Sequence, residues 1–166
     1  MPATTSDSGP DADAAPSADA VARSGGEPIS LDDSARCPCQ SGEEFGSCCG
    51  PYLRGQASPP TAERLMRSRY TAFAVRDAAY LLHSWHPSTR PAQLDLEPGI
   101  RWFRLDILDR VAGGVLDTTG IVEFEARYRM PAAASQSHES RPSTGVQHER
   151  SRFERSEGRW TYVDAE

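Results

Sequence analysis

The chain contains no lysine, no long hydrophobic run and only four cysteines. Its 18 basic residues are therefore all arginine, and 24 acidic residues outnumber them, giving a formal net charge of −6. No window is long and apolar enough to span a bilayer, and no charged start followed by an apolar run indicates a secretory signal. We therefore expect a cytoplasmic protein without a membrane segment, in which the thiols are reduced.

The first thirty residues contain almost no large apolar side chain beyond Val21 and Ile29. Such a segment cannot bury enough surface to offset its chain entropy, so we predict a disordered acidic tail over residues 1–33. Five acidic residues and one arginine give these thirty residues −4 of the net charge. The rest of the chain is close to neutral and has no basic stripe, so no nucleic-acid partner is expected.

All four cysteines fall within residues 37–49, which read CPCQSGEEFGSCC. Four thiolates, from Cys37, Cys39, Cys48 and Cys49, complete the tetrahedral shell of a zinc ion and leave no position open for water. A module of this size has no core of its own, so metal binding would supply its folding energy. Iron can occupy the same cage, and two disulfides, a redox-active C-x-C pair and four inert thiols are the alternatives.

This segment resembles the SEC-C motif, a small zinc module whose pattern is CPC-G-S-G, a basic and aromatic stretch, and then C-C or C-H. The resemblance implies a zinc module over residues 34–56 with the four cysteines as structural ligands. Gln40 stands where glycine is usual, and Glu43 and Glu44 stand where lysines are usual. In SEC-C modules the basic face helps to dock partners. Because these residues are acidic here, the resemblance gives less support for the same docking role in this chain. A protein partner bound through the module is still expected.

Residues 61–86 show helical periodicity, with large apolar side chains every three or four residues at Leu65, Met66, Tyr70, Phe73, Leu81 and Leu82. Thr61 is the predicted N-cap, with Glu63 in the first turn. Asp77 can interrupt the segment, so one long helix or two are expected before Pro87.

The second half of the chain has the period of two that is typical of strands. In residues 121–129 the apolar positions alternate with Glu and Arg. Further strands are predicted over residues 101–111, 146–155 and 159–163, with turns at Gly113-Gly114 and Glu157-Gly158. A polar segment over residues 131–144 is predicted to be a mobile loop.

A helix followed by a meandering antiparallel sheet predicts an α+β fold, with the apolar face of the helix across the concave face of the sheet. This arrangement resembles the NTF2-like cone, in which helices pack on a curved antiparallel sheet. Residues 36–164 are similar to the YchJ family (UPF0225), in which a SEC-C module precedes an NTF2-like domain, here residues 61–166. The similarity lies in LMRSRYTAF, YLLHSWHP, WFRLDIL and GIVEFEARYR. It implies an architecture rather than an activity.

NTF2-like cones often hold a pocket between helix and sheet, and the polar residues predicted to lie there are Arg67, Arg69, Tyr70, His86, Glu149 and Ser151. Glu149 and Ser151 share a strand face with Phe153, so an inward Phe153 brings both into the concavity. Glu149 could act as a general base, pair with His86, or form a structural ion pair with Arg67 or Arg69, which is the favoured interpretation. Trp85, Trp102 and Trp160 are most simply core aromatics.

The sequence has no phosphate-binding glycine loop, nucleophile elbow or HExxH motif. We therefore predict a binding or adaptor protein with a structural zinc ion. The alternative is an enzyme or small-ligand-binding protein that uses the cone pocket. Whether the chain is an enzyme, and its oligomeric state, stay open.

Overall fold

The computed structural model describes residues 27–131 and 142–166. Most of the predicted tail and most of the predicted loop, residues 1–26 and 132–141, lie outside the described residues. Among the described residues, no helix has the length and apolarity that crossing a membrane requires.

The helices are short except for one. A 3₁₀ turn at Phe45–Ser47 is followed by α1 (Gly50–Leu53), α2 (Ala62–Val75) and α3 (Ala78–His83). The predicted N-cap is confirmed, because the Thr61 side chain accepts a hydrogen bond from the backbone N–H of Arg64 at 3.1 Å. The helical stretch divides in two because Arg76 adopts a left-handed conformation, with φ of 61°, which ends α2. Asp77 then caps α3 by accepting from the N–H of Tyr80 at 2.9 Å.

Four strands form one antiparallel sheet in the order β1-β2-β3-β4: β1 (Arg101–Ala112), β2 (Thr119–Met130), β3 (Ser143–Ser156) and β4 (Arg159–Ala165). Both predicted hairpins are confirmed. The turn between β3 and β4 uses positive φ angles at Glu157 (53°) and Gly158 (79°), which suit a tight hairpin. β1 is an edge strand, and its register shifts twice along β2.

The concave face of the sheet carries the core. Val122, Phe124 and Ala126 of β2 are buried, and the acidic and basic residues between them are more exposed, as the alternation predicted. Helix α2 packs against β1, β2 and β4, and Leu65 and Met66 join the same apolar cluster as these β2 residues. The α+β arrangement of helix on antiparallel sheet is confirmed.

The segment after α3 extends the sheet beyond β4. Trp85 forms a parallel bridge with Tyr162, with the N–H of His86 donating to the Tyr162 carbonyl at 2.7 Å and the N–H of Tyr162 donating to the Ser84 carbonyl at 2.9 Å. The Trp85 ring meets the Tyr162 ring edge to face at 5.0 Å. This pairing fixes the position of Trp85 beside β4.

Candidate functional site

The four cysteines converge on one point. Their sulfur atoms all lie within 4.8 Å of one another, with Cys39 Sγ 3.5 Å from Cys48 Sγ and Cys48 Sγ 3.9 Å from Cys49 Sγ. A tetrahedral zinc site with bonds of about 2.3 Å places its sulfurs about 3.8 Å apart, so the cluster fits a metal ion. All four are free thiols and buried, with Cys37 the most exposed at 4%.

Two tight turns bring the cysteine pairs together. The N–H of Cys37 donates to the Glu43 carbonyl at 3.0 Å, and the N–H of Gln40 donates to the Cys37 carbonyl at 3.1 Å, so the chain reverses directly after Cys39. Gly42 allows the second part of this reversal with φ of 89°. The 3₁₀ turn then delivers the second cysteine pair, with the N–H of Cys48 donating to the Phe45 carbonyl at 3.2 Å.

Polar groups around the sulfurs suit a negatively charged cluster. Ser41 Oγ lies 3.2 Å from Cys48 Sγ, and Arg64 Nη1 donates to the same sulfur at 3.5 Å. Thr71 Oγ1 lies 3.8 Å from Cys37 Sγ. Because four thiolates around a divalent ion keep a net negative charge, Arg64 and Ser41 provide the support that surrounding donors give to metal ligands.

The thiols are unequal when only protein surrounds them. Hydrogen bonding from Cys37 lowers the pKa of Cys39, whereas burial raises the pKa of Cys48 to about 12. A divalent cation would supply the charge that four thiolates require.

The cysteine module is joined to the larger domain by polar contacts as well as by packing. Arg67 Nη1 donates to the Cys39 carbonyl at 2.9 Å, and its Nε donates to Glu63 at 2.8 Å. Gln40 Nε2 donates to the Phe103 carbonyl at 2.5 Å. The cysteines also belong to the apolar cluster that contains the inner face of α2. Arg67 therefore holds the module to the helix, a role that the sequence did not reveal.

A second candidate site is a cavity of about 180 Å³ between α2 and the sheet. Half of the residues that line it are aromatic: Tyr70, Phe73, Trp85, Trp102, Phe124 and Tyr162. Of the predicted polar residues, the structure brings Arg69, Tyr70, Glu149 and Ser151 together at this cavity. Two of the three tryptophans line it, whereas Trp160 is buried in the core at 3% exposure.

The two remaining predicted pocket residues lie elsewhere. Arg67 contacts the cysteine module, as described above. His86 Nδ1 lies 2.6 Å from Ser88 Oγ, and its Nε2 lies 3.7 Å from a carboxylate oxygen of Glu154. The predicted pair of His86 with Glu149 does not form, because pairing with β4 directs the segment of His86 away from the cavity.

Glu149 lies on the inner face of β3, opposite Phe124 of β2, as its alternation predicted. Its Oε1 accepts hydrogen bonds from Ser151 Oγ at 2.5 Å and Tyr162 Oη at 3.2 Å, and its Oε2 accepts from Gln147 Nε2 at 2.9 Å. Burial, with the nearby Glu149 carboxylate, raises the pKa of Tyr162 to about 12. Side chains of β3 and β4 thus already donate hydrogen bonds to both carboxylate oxygens of Glu149.

The favoured ion pair between Glu149 and Arg69 or Arg67 is also not formed. Arg69 is 4% exposed, and its Nη1 donates to the Leu81 carbonyl at 2.9 Å and to Ser84 Oγ at 2.8 Å. Its guanidinium lies over the ring of Tyr162 at 4.4 Å. Burial lowers the pKa of Arg69 to about 10. Arg69 lies four residues after Leu65 and four residues before Phe73, which places it on the inner face of α2. This spacing is the feature of the sequence that could have indicated its position.

Comparison with known proteins agrees with both parts of the structure. The family model described as "YchJ, middle NTF2-like domain" matches residues 61–165, and the SEC-C motif model matches residues 34–51. The chain belongs to the YchJ family. Among its relatives, a UPF0225 protein of Streptomyces coelicolor is 52% identical over 78% of this chain and 94% of its own length. A UPF0225 protein of Deinococcus radiodurans is 43% identical over 78% of this chain and 87% of its own.

Two solved structures are similar to this YchJ family member. The solution structure of a SEC-C motif containing protein from Rhodopseudomonas palustris has a TM-score of 0.64 and 32% identity, over 78% of this chain and 96% of its own. The crystal structure of a SEC-C motif containing protein from Psychrobacter arcticus has a TM-score of 0.60 and 23% identity, over 80% of this chain and 82% of its own. The second likeness supports the fold alone.

Proposed function

We propose that this YchJ family member is a cytoplasmic zinc-containing binding protein, in which a structural zinc ion orders a docking surface for a protein partner. The observation that carries the proposal is a groove of about 410 Å³ between the cysteine loop and the start of β1. Pro38 and Gln40 line one side of this groove, and Trp102 and Phe103 line the other. The cysteine loop thus forms one wall of this groove.

The donor set supports a structural zinc ion rather than a catalytic one. Four thiolates close the tetrahedral shell, so no coordination position is left for a substrate or water. The ligands are buried, which removes them from direct contact with a partner. The partner would instead contact the loop that the metal holds in shape. Iron in the same cage would give the loop the same shape and add redox chemistry.

The groove opens onto the outer edge of β1, with which no further strand pairs among residues 27–131 and 142–166; near the groove, the Phe103 carbonyl accepts from Gln40. β1 is an outer strand, and Phe103, Leu108 and Val111 along it are exposed at 39%, 51% and 47%. An exposed strand edge with apolar side chains can pair with an extended segment of another protein through main-chain hydrogen bonds. We therefore propose that the partner presents an extended segment that enters the groove and continues along β1.

The experiment compares partner capture by three forms of the full-length, metal-loaded chain under reducing conditions. The wild type should retain a discrete partner, and Cys39→Ser should lose it because the loop loses its metal. Phe103→Ala should also lose it while keeping one metal ion per chain, which separates loss of the groove from loss of the fold. Glu149→Gln is the matched control and should bind normally. Capture that is unaffected by both Cys39→Ser and Phe103→Ala would contradict the proposal.

A further inference from the structure

Two arginines at the end of the sheet face each other without a carboxylate between them. Arg101 of β1 lies directly opposite Arg129 of β2 in the register of the two strands, and both residues are exposed. Directly opposed residues have Cβ atoms about 4.5–5.5 Å apart, and like charges at this separation destabilise a sheet. Within residues 27–131 and 142–166, neither arginine forms an ion pair. We call these two residues the terminal arginine pair.

The neighbouring arginine pair shows how the fold neutralises such an arrangement. Arg104 of β1 lies opposite Arg127 of β2. Asp106 Oδ2 accepts a hydrogen bond from Arg104 Nε at 2.7 Å and lies 4.0 Å from Arg127 Nε. Glu125 accepts from Arg127 Nη2 at 3.0 Å. Two carboxylates therefore compensate this pair, whereas the described residues supply none to the terminal arginine pair.

The terminal arginine pair borders the groove beside the cysteine loop. The Arg129 guanidinium lies over the Phe103 ring at 4.9 Å, and Phe103 lines the groove. Arg36 lines the same groove from the cysteine loop and is also exposed. Its Nη1 contacts only the Gly42 carbonyl, at 3.5 Å, among the described residues. Three exposed cations around one groove make it attractive to carboxylates.

The chain itself carries an acidic segment close to this groove in sequence. Residues 7–19, the acidic segment, contain four aspartates and no basic residue. Ten residues after Asp19, the N–H of Ile29 donates to the carbonyl of Val75 at 2.7 Å, at the end of α2. Ten residues span at most about 33 Å when extended, which is enough to reach across one face of a small domain. Attachment to the same chain gives such a segment an effective concentration on the order of millimolar.

We propose that the aspartates of the acidic segment bind the terminal arginine pair and Arg36, and so cover the entrance of the groove. The aspartates in question are Asp7, Asp11, Asp13 and Asp19. Salt weakens the contact, because exposed charges are screened over about 10 Å at 0.1 M ionic strength. The bound segment competes with the partner of the proposed function, but the contact needs no partner and is tested without one.

The absence of lysine allows a direct test of this contact. Arg129→Lys keeps the charge and introduces the one lysine of the chain. A water-soluble carbodiimide joins this amine to a carboxylate in contact with it, and mass spectrometry of the digested protein identifies that carboxylate. The metal-loaded full chain at low salt should form an intramolecular cross-link between position 129 and an aspartate of the acidic segment. Its yield should fall at least about fivefold in 0.5 M salt.

Two further variants control for the reach of the segment and for the reaction. Arg90→Lys is the matched control, because Arg90 is exposed, has no ion pair among the described residues and lies beside β4, at the opposite edge of the sheet from β1. It should give at least about fivefold less cross-link to the acidic segment. Arg150→Lys should couple to Glu123 or Glu166, which lie 3.1 and 3.0 Å from Arg150.

Changing the four aspartates to asparagine in the Arg129→Lys chain should abolish the cross-link. Equal coupling of the acidic segment to positions 90 and 129 would overturn the proposal, because the segment would then have no preferred site. Coupling of position 129 to Glu139, in the connection between β2 and β3, would assign the missing carboxylate to that connection instead. Coupling to a second copy of the chain, or to no carboxylate while Arg150→Lys reacts, would also overturn it.

Discussion

Gln40 occupies a backbone position that favours glycine, and this makes it a sensitive test of how the module is joined to the domain. Its φ of 59° lies in the left-handed region, and its side-chain amide donates to the Phe103 carbonyl at 2.5 Å. The SEC-C pattern has glycine at this position. We infer that the hydrogen bond to β1 offsets the strain, and two substitutions can separate the effects.

The expected magnitudes follow from these two observations. Gln40→Ala keeps the left-handed strain and loses the hydrogen bond, so the free energy of unfolding should fall by about 1 kcal/mol. Gln40→Gly loses the same bond but removes strain of about 1–2 kcal/mol, against an added chain entropy of about 0.5–1 kcal/mol. Glycine should therefore be about 0.5–1 kcal/mol more stable than alanine, and close to the wild type.

Urea unfolding of the metal-loaded chain measures these differences in the free energy of unfolding. In thermal unfolding, each kcal/mol should shift the melting temperature by about 2–4 °C. Both variants should retain their metal, because Gln40 supplies no ligand atom. Equal stability of Gln40→Ala and Gln40→Gly would refute the inferred strain. A Gln40→Ala variant as stable as the wild type would refute the contribution of the bond to Phe103.

Gly50→Ala should destabilise the chain by about 2 kcal/mol, because a Cβ there would lie 2.7 Å from the Phe45 backbone carbonyl, which cannot move freely; an unchanged melting temperature would contradict this packing. Burial would raise the pKa of Glu63, but hydrogen bonds donated by Arg67 and Arg110 lower it below 4.5. Glu63 thus contributes stability above pH 4.5 that is lost as the pH falls through its lowered pKa. Urea unfolding should show Glu63→Gln about 1 kcal/mol less stable than the wild type at pH 7, with the difference shrinking as the pH falls below 4.5 and through the lowered pKa; a difference independent of pH would contradict this role.

The parts of the fold that depend on local pattern could be predicted from the sequence. The alternation in β2 correctly placed Val122 and Phe124 on the inner face, and the same reasoning placed Glu149 inward on β3. The cysteine spacing was sufficient to predict that the four sulfur atoms lie close together. In each case the signal lies within a few residues along the chain, where the periods of strands and the reach of short loops determine geometry.

The contacts that define the cavity could not be predicted in this way. Arg69 was expected to pair with Glu149. Instead, it donates to the Leu81 carbonyl, because α2 ends at Arg76 and α3 folds back across it. His86 was expected beside Glu149, but the parallel pairing of Trp85 with Tyr162 places it elsewhere. These contacts join residues far apart in sequence, and no local period encodes them.

We propose that the four cysteines hold one zinc ion. This is tested most directly by native mass spectrometry with elemental analysis of full-length protein, purified under reducing conditions without added metal. We expect one zinc ion per chain, released on acidification as the thiolates take up protons, and absent from Cys39→Ser. One iron ion per chain would place redox chemistry in the same cage. A chain without metal, with all four thiols open to alkylation in the folded state, would contradict the account.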